Sequence, residues 1–367
     1  MNKTIVIVTF VLSACLLAAK PQQTPTVEGI VYLSEFASLQ DAVTAVPNGG
    51  TVIVPRGIWE GDAVIPAGKY VHIQGVSPAV LGQTPPLGSS QWDYLLANYS
   101  DTFLNGSILR GQIDASANAS KLALTNLLMI GHGSGTAITI GADGYMSTVA
   151  PIEGVSIGNY DVGIRATKAY LLTIDKMQIA GVGTGLIIRD GNLNRLWNVD
   201  ITYCQLGADL KGEVIWQGGS VQACTDGAKV YLTGGYIGQI HFEQIANISL
   251  DFDGYGSKLD PNFYATNSGR VIIRGYNNIL DMGWVSNVEF VYPKSSYNFV
   301  RLYGNYTAGG WQDRIETIKN IGTVSTQYVN QQTGQVYYPD GVVIRGADGK
   351  NYRLIVTDGV LGVVEVK

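Results

Sequence analysis

The sequence predicts an all-β solenoid, a stack of rungs of ~20–24 residues each. Three observations predict it. An apolar anchor and a glycine recur together at that period. Charged residues make up only 14% of the 367 positions, against about 25% in an average soluble domain. Glycine takes 46 positions, roughly one in eight, where about 7% is typical. A helical bundle or coiled coil would be rich in Glu, Lys, Ala and Leu. Disorder is excluded by 46% hydrophobic residues, enough to bury a large core. Nucleic-acid binding is disfavoured, because 24 basic residues face 29 acidic ones, net −5, with no Lys/Arg run.

The repeat is read from Met129, Ile157, Ile179, Ile201 and Val221. Six residues after each stands a glycine: Gly135, Gly163, Gly185, Gly207 and Gly227. The anchors lie 28, 22, 22 and 20 residues apart. The long first step accommodates an inserted loop, Ala142 to Thr148. One rung of short strands cannot bury its inward side chains. Stacking rungs ~4.8 Å apart pairs each strand with the next coil and buries a column of Ile, Val and Leu. The expected role of the repeated glycine is a φ > 0 corner where the chain changes face. The Leu-x-x-Leu-x-Leu spacing of leucine-rich repeats is absent, and a propeller needs ~40–50-residue blades.

The elements follow in order. Residues 1–20 form a signal-like hydrophobic segment: Lys3, then an apolar run from Ile5 to Ala19. Fifteen residues are too few for a transmembrane helix, which takes ~20. Leu12-Ser13-Ala14-Cys15 resembles a lipoprotein lipobox, with Cys15 the residue to be lipidated, although Leu16-Leu17 fits that pattern poorly. Residues 21–34 read as an extended linker. A short amphipathic helix is expected within Glu35–Val46, with Phe36, Leu39, Val43 and Val46 on one face and Ser38 as N-cap. Thr51–Val54, Ile58-Trp59, Val64-Ile65 and Val71–Ile73 read as short strands. No later segment reads as a helix. Residues 296–367 read as a C-terminal β-rich region. It ends in a meander over Gly341–Val366, turning at Asp348-Gly349 and Asp358-Gly359.

Register also speaks to the cysteines. Cys204 and Cys224 each precede a rung glycine by three residues, so they are expected on adjacent rungs with Cα atoms ~5 Å apart, within disulfide reach. His132, Tyr160 and Val182 share that column. A disulfide formed after export and a pair of stacked buried thiols both stay open. Three cysteines without nearby His partners are no metal-ligand set.

The capping helix Ser38-Leu-Gln-Asp-Ala-Val43, the segment Asn48-Gly-Gly-Thr-Val-Ile-Val-Pro-Arg-Gly57 and rungs such as Ile201-Thr-Tyr-Cys-Gln-Leu-Gly207 resemble the right-handed parallel β-helix of the pectate-lyase-like superfamily. That superfamily includes polysaccharide lyases, polygalacturonases, pectin methylesterases and phage tailspikes and tail fibres. The resemblance implies a parallel β-helix with its N-terminal cap over 35–295. It does not imply an activity, because fold does not fix function. Gly131-His132-Gly133 resembles one polygalacturonase element, but the adjacent Asp pair and the Arg-Ile-Lys element are missing. The methylesterase elements and the lyases' calcium-binding carboxylate cluster are also missing.

The best polar constellation is His241-Phe-Glu243 with Asp251-Phe-Asp253. If their strands are neighbours, Glu243, Asp251 and Asp253 gather on one face. Carboxyls ~5–9.5 Å apart can cleave a glycosidic bond as acid and base or nucleophile. They could instead bind Ca2+, and no other cofactor is expected. The plainer reading is a row of solvated side chains. Trp197, Trp216, Tyr231 and Tyr236 offer stacking faces for sugars. Six Asn-x-Ser/Thr sequons, at Asn2, Asn98, Asn105, Asn118, Asn247 and Asn305, are compatible with a glycosylated surface protein.

The expectation is a tailspike- or fibre-like β-helical protein, extracellular, on a cell surface or on a virion. Its partners would be a surface glycan and copies of itself, as a homotrimer or larger virion or filament assembly, without nucleic acid and without a transmembrane span. Whether it is an enzyme stays open, and the missing motifs lean against it. The alternative is a secreted or lipid-anchored polysaccharide hydrolase or lyase.

Overall fold

The computed structural model describes residues 29–77, 81, 84–98, 106–141, 147–148, 151–264 and 270–283. Beyond these it describes the strand segments 288–290, 299–304, 326–330, 336–337, 343–345, 351–357 and 360–366. The expected leader over 1–20, with Cys15, lies outside the described residues.

The chain is a parallel β-helix. Its strands pair in parallel with the strands one rung before and one rung after, across one coiled sheet system of 28 described strands whose last, Val336–Tyr337, alone is described as pairing antiparallel. Three strand columns make three faces. One starts from Ile30–Tyr32, within the segment expected as a linker, and continues through Gly50–Val54, Tyr70–Gly75 and Lys121–Thr125. A second starts from Gly57–Glu60, Ser107–Arg110 and Leu128–Ile130. A third starts from Ala63–Val64, Ile113–Ala115 and Thr136–Ile140.

The predicted anchors lie in the second column and in register: Met129, Ile157, Ile179, Ile201 and Val221 pair in succession. The ladder continues through Phe242 and Phe263. All seven side chains are buried, and the two phenyl rings stack with centroids 5.1 Å apart. Each such side chain contributes about 1.5–3 kcal/mol of burial.

The glycine column holds from Gly163 to Gly227, for a different reason than expected; Ala137 rather than Gly135 is in register with Gly163, and Ser249 takes the place above Gly227. Gly135 has φ +81°, but Gly163, Gly185, Gly207 and Gly227 are not in the left-handed region. They are glycines because the rungs close on one another there. A Cβ on Gly163, Gly185 or Gly207 would stand 2.4–2.6 Å from the carbonyl oxygen of the next glycine up the stack. The left-handed corners fall instead three residues before the anchor (Asn126, Gly154, Lys176, Asn198, Gly218) and two after it (Asn159, Gly181, Tyr203, Ala223). Corner and close approach are separate requirements, and from Gly163 to Gly227 only the second is met by glycine in each successive rung.

The N-terminal helix α1, Leu39–Ala45, forms as predicted, with the Ser38 hydroxyl accepting from the Asp41 N–H. It buries Leu39, Ala42 and Val43 in the solenoid core. A second helix, α2 over Gln91–Ala97, corrects the reading that no later helix exists. It is seven residues long, too short to show more than one apolar turn: Trp92, Leu95 and Leu96 are buried. It packs outside the main core in a small cluster with Leu81, Ile108, Leu128, Ile130 and Ala180. Gly158 and Gly181 leave room for the Trp92 ring, since a Cβ on either would lie within 3 Å of it.

Towards the C-terminus the parallel ladder passes residue 295, through Phe299–Gly304 and Thr326–Asn330. Val343–Arg345, Asn351–Thr357 and Val360–Val366 form a separate three-stranded antiparallel sheet, the expected meander.

Candidate functional site

The columns decide which side chains meet. His241 and Glu243 lie on the Tyr236–Glu243 strand, which pairs with Leu206–Gln222 below and Lys258–Tyr264 above. Asp251 and Asp253 lie on Ile248–Tyr255, which pairs with Asp226–Thr233 and Arg270–Ile273. The condition that the two strands be neighbours is therefore not met. A left-handed corner at Gln244 separates them and sends the chain to another face. Glu243 lies 3.6 Å from His241 Nε2, and Asp251 forms an ion pair with Arg274. Expected acid–base partners thus have other partners.

What Asp251 and Asp253 join is a strip on the third face. Along Ile248–Tyr255 the apolar Leu250 and Phe252 point inward, while Asp251, Asp253 and Tyr255 alternate outward. On the rung below, Lys229, Tyr231 and Thr233 are exposed while Val230 and Leu232 are buried. Tyr231 stands in register between Lys211 and Asp253. Tyr255 stands above Thr233 and is bridged in parallel to Tyr276. Tyr231, Tyr255 and Tyr276 are 50%, 48% and 47% exposed. The Tyr255 and Tyr276 rings are 4.9 Å apart, tilted by 44°. Around them run ion pairs between neighbouring rungs: Arg189 with Asp209, Lys211 with Asp190 (3.1 Å) and Arg274 with Asp251. The strip is thus three part-apolar rings beside fixed charges of both signs.

A second cluster lies on the first face, built on the Tyr236–Gly238 part of the strand that carries His241; a left-handed corner at Gln239 separates the two. Asp260 and Asp281 follow Leu259 and Leu280, which are in register on adjacent rungs. The Tyr236 hydroxyl is 3.4 Å from Asp260 Oδ2, and Lys258 Nζ is 3.7 Å from the same oxygen. Lys258 also stands 5.5 Å from the centre of the Tyr236 ring. Gly238, in register below Asp260, leaves room for that ring. Burial raises the Asp260 pKa above the usual carboxylate range, with Asp281 adding to the rise and Lys258 opposing it. Burial, then the Asp260 charge, raises that of Tyr236.

The remaining sequence candidates divide. Tyr231 is exposed, whereas Tyr236 and Trp197 are half-buried. Trp216 is 0% exposed and belongs to the core, so it offers no face to a sugar. It sits between Leu196 and Ile237 on the inner side of the sheet, and alternation along its strand points it inward. Cys204 and Cys224 are buried on adjacent rungs as free thiols. Tyr160 and Val182 are buried in that column. His132 leaves it: its side chain points outward, with Nδ1 2.9 Å from Arg110 Nη2. Among the described residues no group of three or more His, Cys, Asp or Glu is placed to hold a metal ion. No described helix is long and apolar enough to cross a membrane.

Tyr255, Tyr276, Arg274, Asp260 and Asp281 were not singled out from sequence. The signal was the same period carried two rungs further: 21 residues from Val221 to Phe242, 21 more to Phe263, and 21 from Asp260 to Asp281.

No family model matches the chain, and no curated protein matches it. Solved structures do. ORF18 of Geobacillus virus E2 aligns with a TM-score of 0.53 at 11% identity, covering 91% of this chain and 68% of its own. DFA-IIIase from Arthrobacter chlorophenolicus A6, in complex with GF2, aligns at 0.49 and 11% identity, covering 83% and 85%. A tailspike protein mutant of E. coli bacteriophage HK620, in complex with a pentasaccharide, aligns at 0.23 and 13% identity, covering 74% and 53%. At these identities the likeness is one of fold. The expected resemblance to parallel β-helix proteins is borne out at that level.

Proposed function

We propose that this chain is a tailspike- or fibre-like β-helical protein of a virion or cell surface. In this reading it assembles as a homotrimer and holds a surface glycan on its tyrosine strip without cleaving it. One observation carries the reading: three half-exposed tyrosines spaced by the rungs, beside paired charges. Tyrosine offers a flat apolar face and a polar hydroxyl at little entropy cost. Diagonal positions on neighbouring strands lie about 7–8 Å apart, so Tyr231 and Tyr255 can address different parts of one extended ligand. The rung hydrogen bonds fix those positions before binding, which lowers the ordering cost. The viral origin of the matched Geobacillus virus E2 protein fits this reading.

The test is binding of the purified protein to an array of surface polysaccharides, followed by titration of each hit. Tyr255→Ala combined with Tyr276→Ala is expected to weaken binding at least about tenfold, the loss of roughly 1.4 kcal/mol, with the melting temperature little changed. Undiminished affinity in the double variant sinks the proposal. Light scattering after size exclusion checks the trimer, and a monomer at micromolar concentration contradicts it.

A second reading, glycan hydrolysis, is favoured by the Asp260–Asp281 pair. A carboxyl held toward its protonated form beside a second carboxyl is the division of labour such hydrolysis uses. In this reading the catalytic pair is Asp260 and Asp281 rather than Glu243, Asp251 and Asp253. Release of new reducing ends by the wild type, lost in Asp260→Asn and in Asp281→Asn, supports it. Absence of release across acidic and neutral polysaccharides removes it.

A further inference from the structure

We propose that Cys204 and Cys224 form a disulfide that clips two adjacent rungs together at one corner of the solenoid. The two residues follow left-handed corner residues, Tyr203 (φ 55°) and Ala223 (φ 50°), on consecutive rungs. Ladder hydrogen bonds bracket them: Tyr203 N–H to Gln222 O at 3.1 Å, and Thr225 N–H to Cys204 O at 3.0 Å. These bonds hold the two Cα atoms at about the interstrand spacing of 4.7–4.9 Å, inside the 4.4–6.8 Å range of disulfides. The side chains share one orientation. Each Sγ contacts the carbonyl two residues earlier, Cys204 with Thr202 O (3.3 Å) and Cys224 with Gln222 O (3.2 Å). Cys224 Sγ also faces the Cys204 N–H at 3.4 Å. No other cysteine is near in sequence, since the third is Cys15.

The surroundings divide the chemistry between the two thiols. The hydrogen bond from Cys204 lowers the Cys224 pKa. The hydrogen bond to Cys224, and then burial, push Cys204 well up. Cys224 is therefore the thiolate that reacts first, because the thiolate is the nucleophile in exchange. With a small-molecule disulfide as oxidant, Cys224 S− attacks one sulfur, breaking its S–S bond and releasing one small thiolate. Cys204 then gives up its proton and attacks Cys224 Sγ, expelling the second small thiol. The protein loses two protons and two electrons, which the small disulfide takes up in becoming two thiols. Because both thiols are buried, the exchange proceeds through opening of that corner or during folding. The staple goes beyond the glycan-contact reading: it concerns the register of the rungs and is independent of the tyrosine strip.

The experiment incubates full-length protein with a mixture of oxidised and reduced glutathione. One arm uses native protein and the other refolds it from denaturant. Peptide mapping follows, after free thiols have been alkylated in denaturant. The expected result is a peptide pair linking Cys204 to Cys224 in either arm. A melting temperature that falls on the order of 5 °C when a reductant is added is also expected, from closing a loop of about 20 residues. Cys204→Ser and Cys224→Ala are each expected to abolish both the linked pair and the reductant effect. If a variant fails to fold, mapping of the wild type still decides. Both thiols alkylated in both arms, or linkage only through Cys15, overturns the proposal.

Discussion

Replacing Gly207 by alanine tests why the rungs carry glycine. A Cβ at Gly207 would stand 2.5 Å from Gly227 O and 2.7 Å from Val221 Cγ1. Real Cβ atoms essentially never come within 3.0 Å of such atoms, so something must move by half an ångström or more. The carbonyl cannot move freely. Its rung is bonded to the one below through Asp226 N–H to Gln205 O at 2.9 Å, and Leu206 N–H to Gly183 O at 2.9 Å holds the rung beneath. Overpacking against such a fixed neighbour costs about 1–3 kcal/mol, and backbone puts Gly207→Ala at the upper end. A smaller unfolded-state gain of about 0.4–1 kcal/mol partly offsets it. The net expectation is about 2 kcal/mol of destabilisation. Ala223→Gly is the opposing case. It relieves a left-handed alanine at φ 50°, worth about 1–2 kcal/mol. It loses about 0.4–1 kcal/mol through the unfolded chain and part of a methyl's burial, about 0.8 kcal/mol at most. These cancel, leaving a change near zero. Urea unfolding of wild type and both variants, followed by fluorescence and by circular dichroism to check coincidence, measures the difference. If Gly207→Ala stays within about 0.5 kcal/mol of wild type, or Ala223→Gly loses as much as Gly207→Ala, the stacking account of the glycine column is wrong.

Three further outcomes are expected. Asp260, facing Tyr236, Lys258 and Asp281, has a folded pKa above its unfolded value. The folded state therefore keeps a proton that the unfolded chain releases, and stability falls as pH rises through the window between the two values. Asp260→Asn should gain melting temperature over wild type progressively as pH rises through that window, and a pH-independent difference contradicts the assignment. Trp216→Phe should lose under about 1.5 kcal/mol because it removes a buried indole N–H that has no partner among the described residues, against about 3–5 kcal/mol for Trp216→Ala. Glycan binding should be unchanged in a folded Trp216→Phe, and weakened binding would return this ring to the site. Trp92→Ala should expose the amides of residues 84–98 to hydrogen exchange while the rung amides of 155–230 stay protected, since α2 belongs to a separate apolar cluster. Loss of protection across both regions would show one cooperative unit instead.

The period was legible because it is carried by side chains that must stack: Met129 through Val221 recur and pair in the predicted order. Ser38 was legible as a cap because its hydroxyl answers a local need of the first helical turn. Helix α2 was not, because seven residues give one apolar turn and its partners, Ile108, Leu128 and Ala180, lie on distant rungs. Trp216 illustrates a further limit. Aromatic type suggests a sugar platform, but its inward position follows from strand parity, which the register shifts along the Thr184–Thr202 and Leu206–Gln222 pair make hard to count from sequence. Tyr231 was found because it stands beside a clear rung. Tyr255 and Tyr276 were not legible because the recurring glycine ends at Gly227, and Ser249 takes its place on the next rung.

The failed pairing of Glu243 with Asp251 and Asp253 shows how a solenoid composes a site. Residues eight apart lie on different faces whenever a corner falls between them, as Gln244 does here. Residues about 21 apart lie on the same face, one rung over, as Asp260 and Asp281 do. Chemistry in this chain is therefore assembled along the stacking axis, where Lys211, Tyr231 and Asp253 are neighbours although 42 residues separate the first from the last. A ligand that follows that axis meets rings and charges at every rung, whereas one lying across it meets a single strand and then a corner. An elongated chain of repeating units running along the solenoid is the ligand shape this surface suits. Affinity should accordingly rise with oligosaccharide length until the ligand spans the distance from Tyr231 to Tyr276, and a length-independent affinity would place the contact elsewhere.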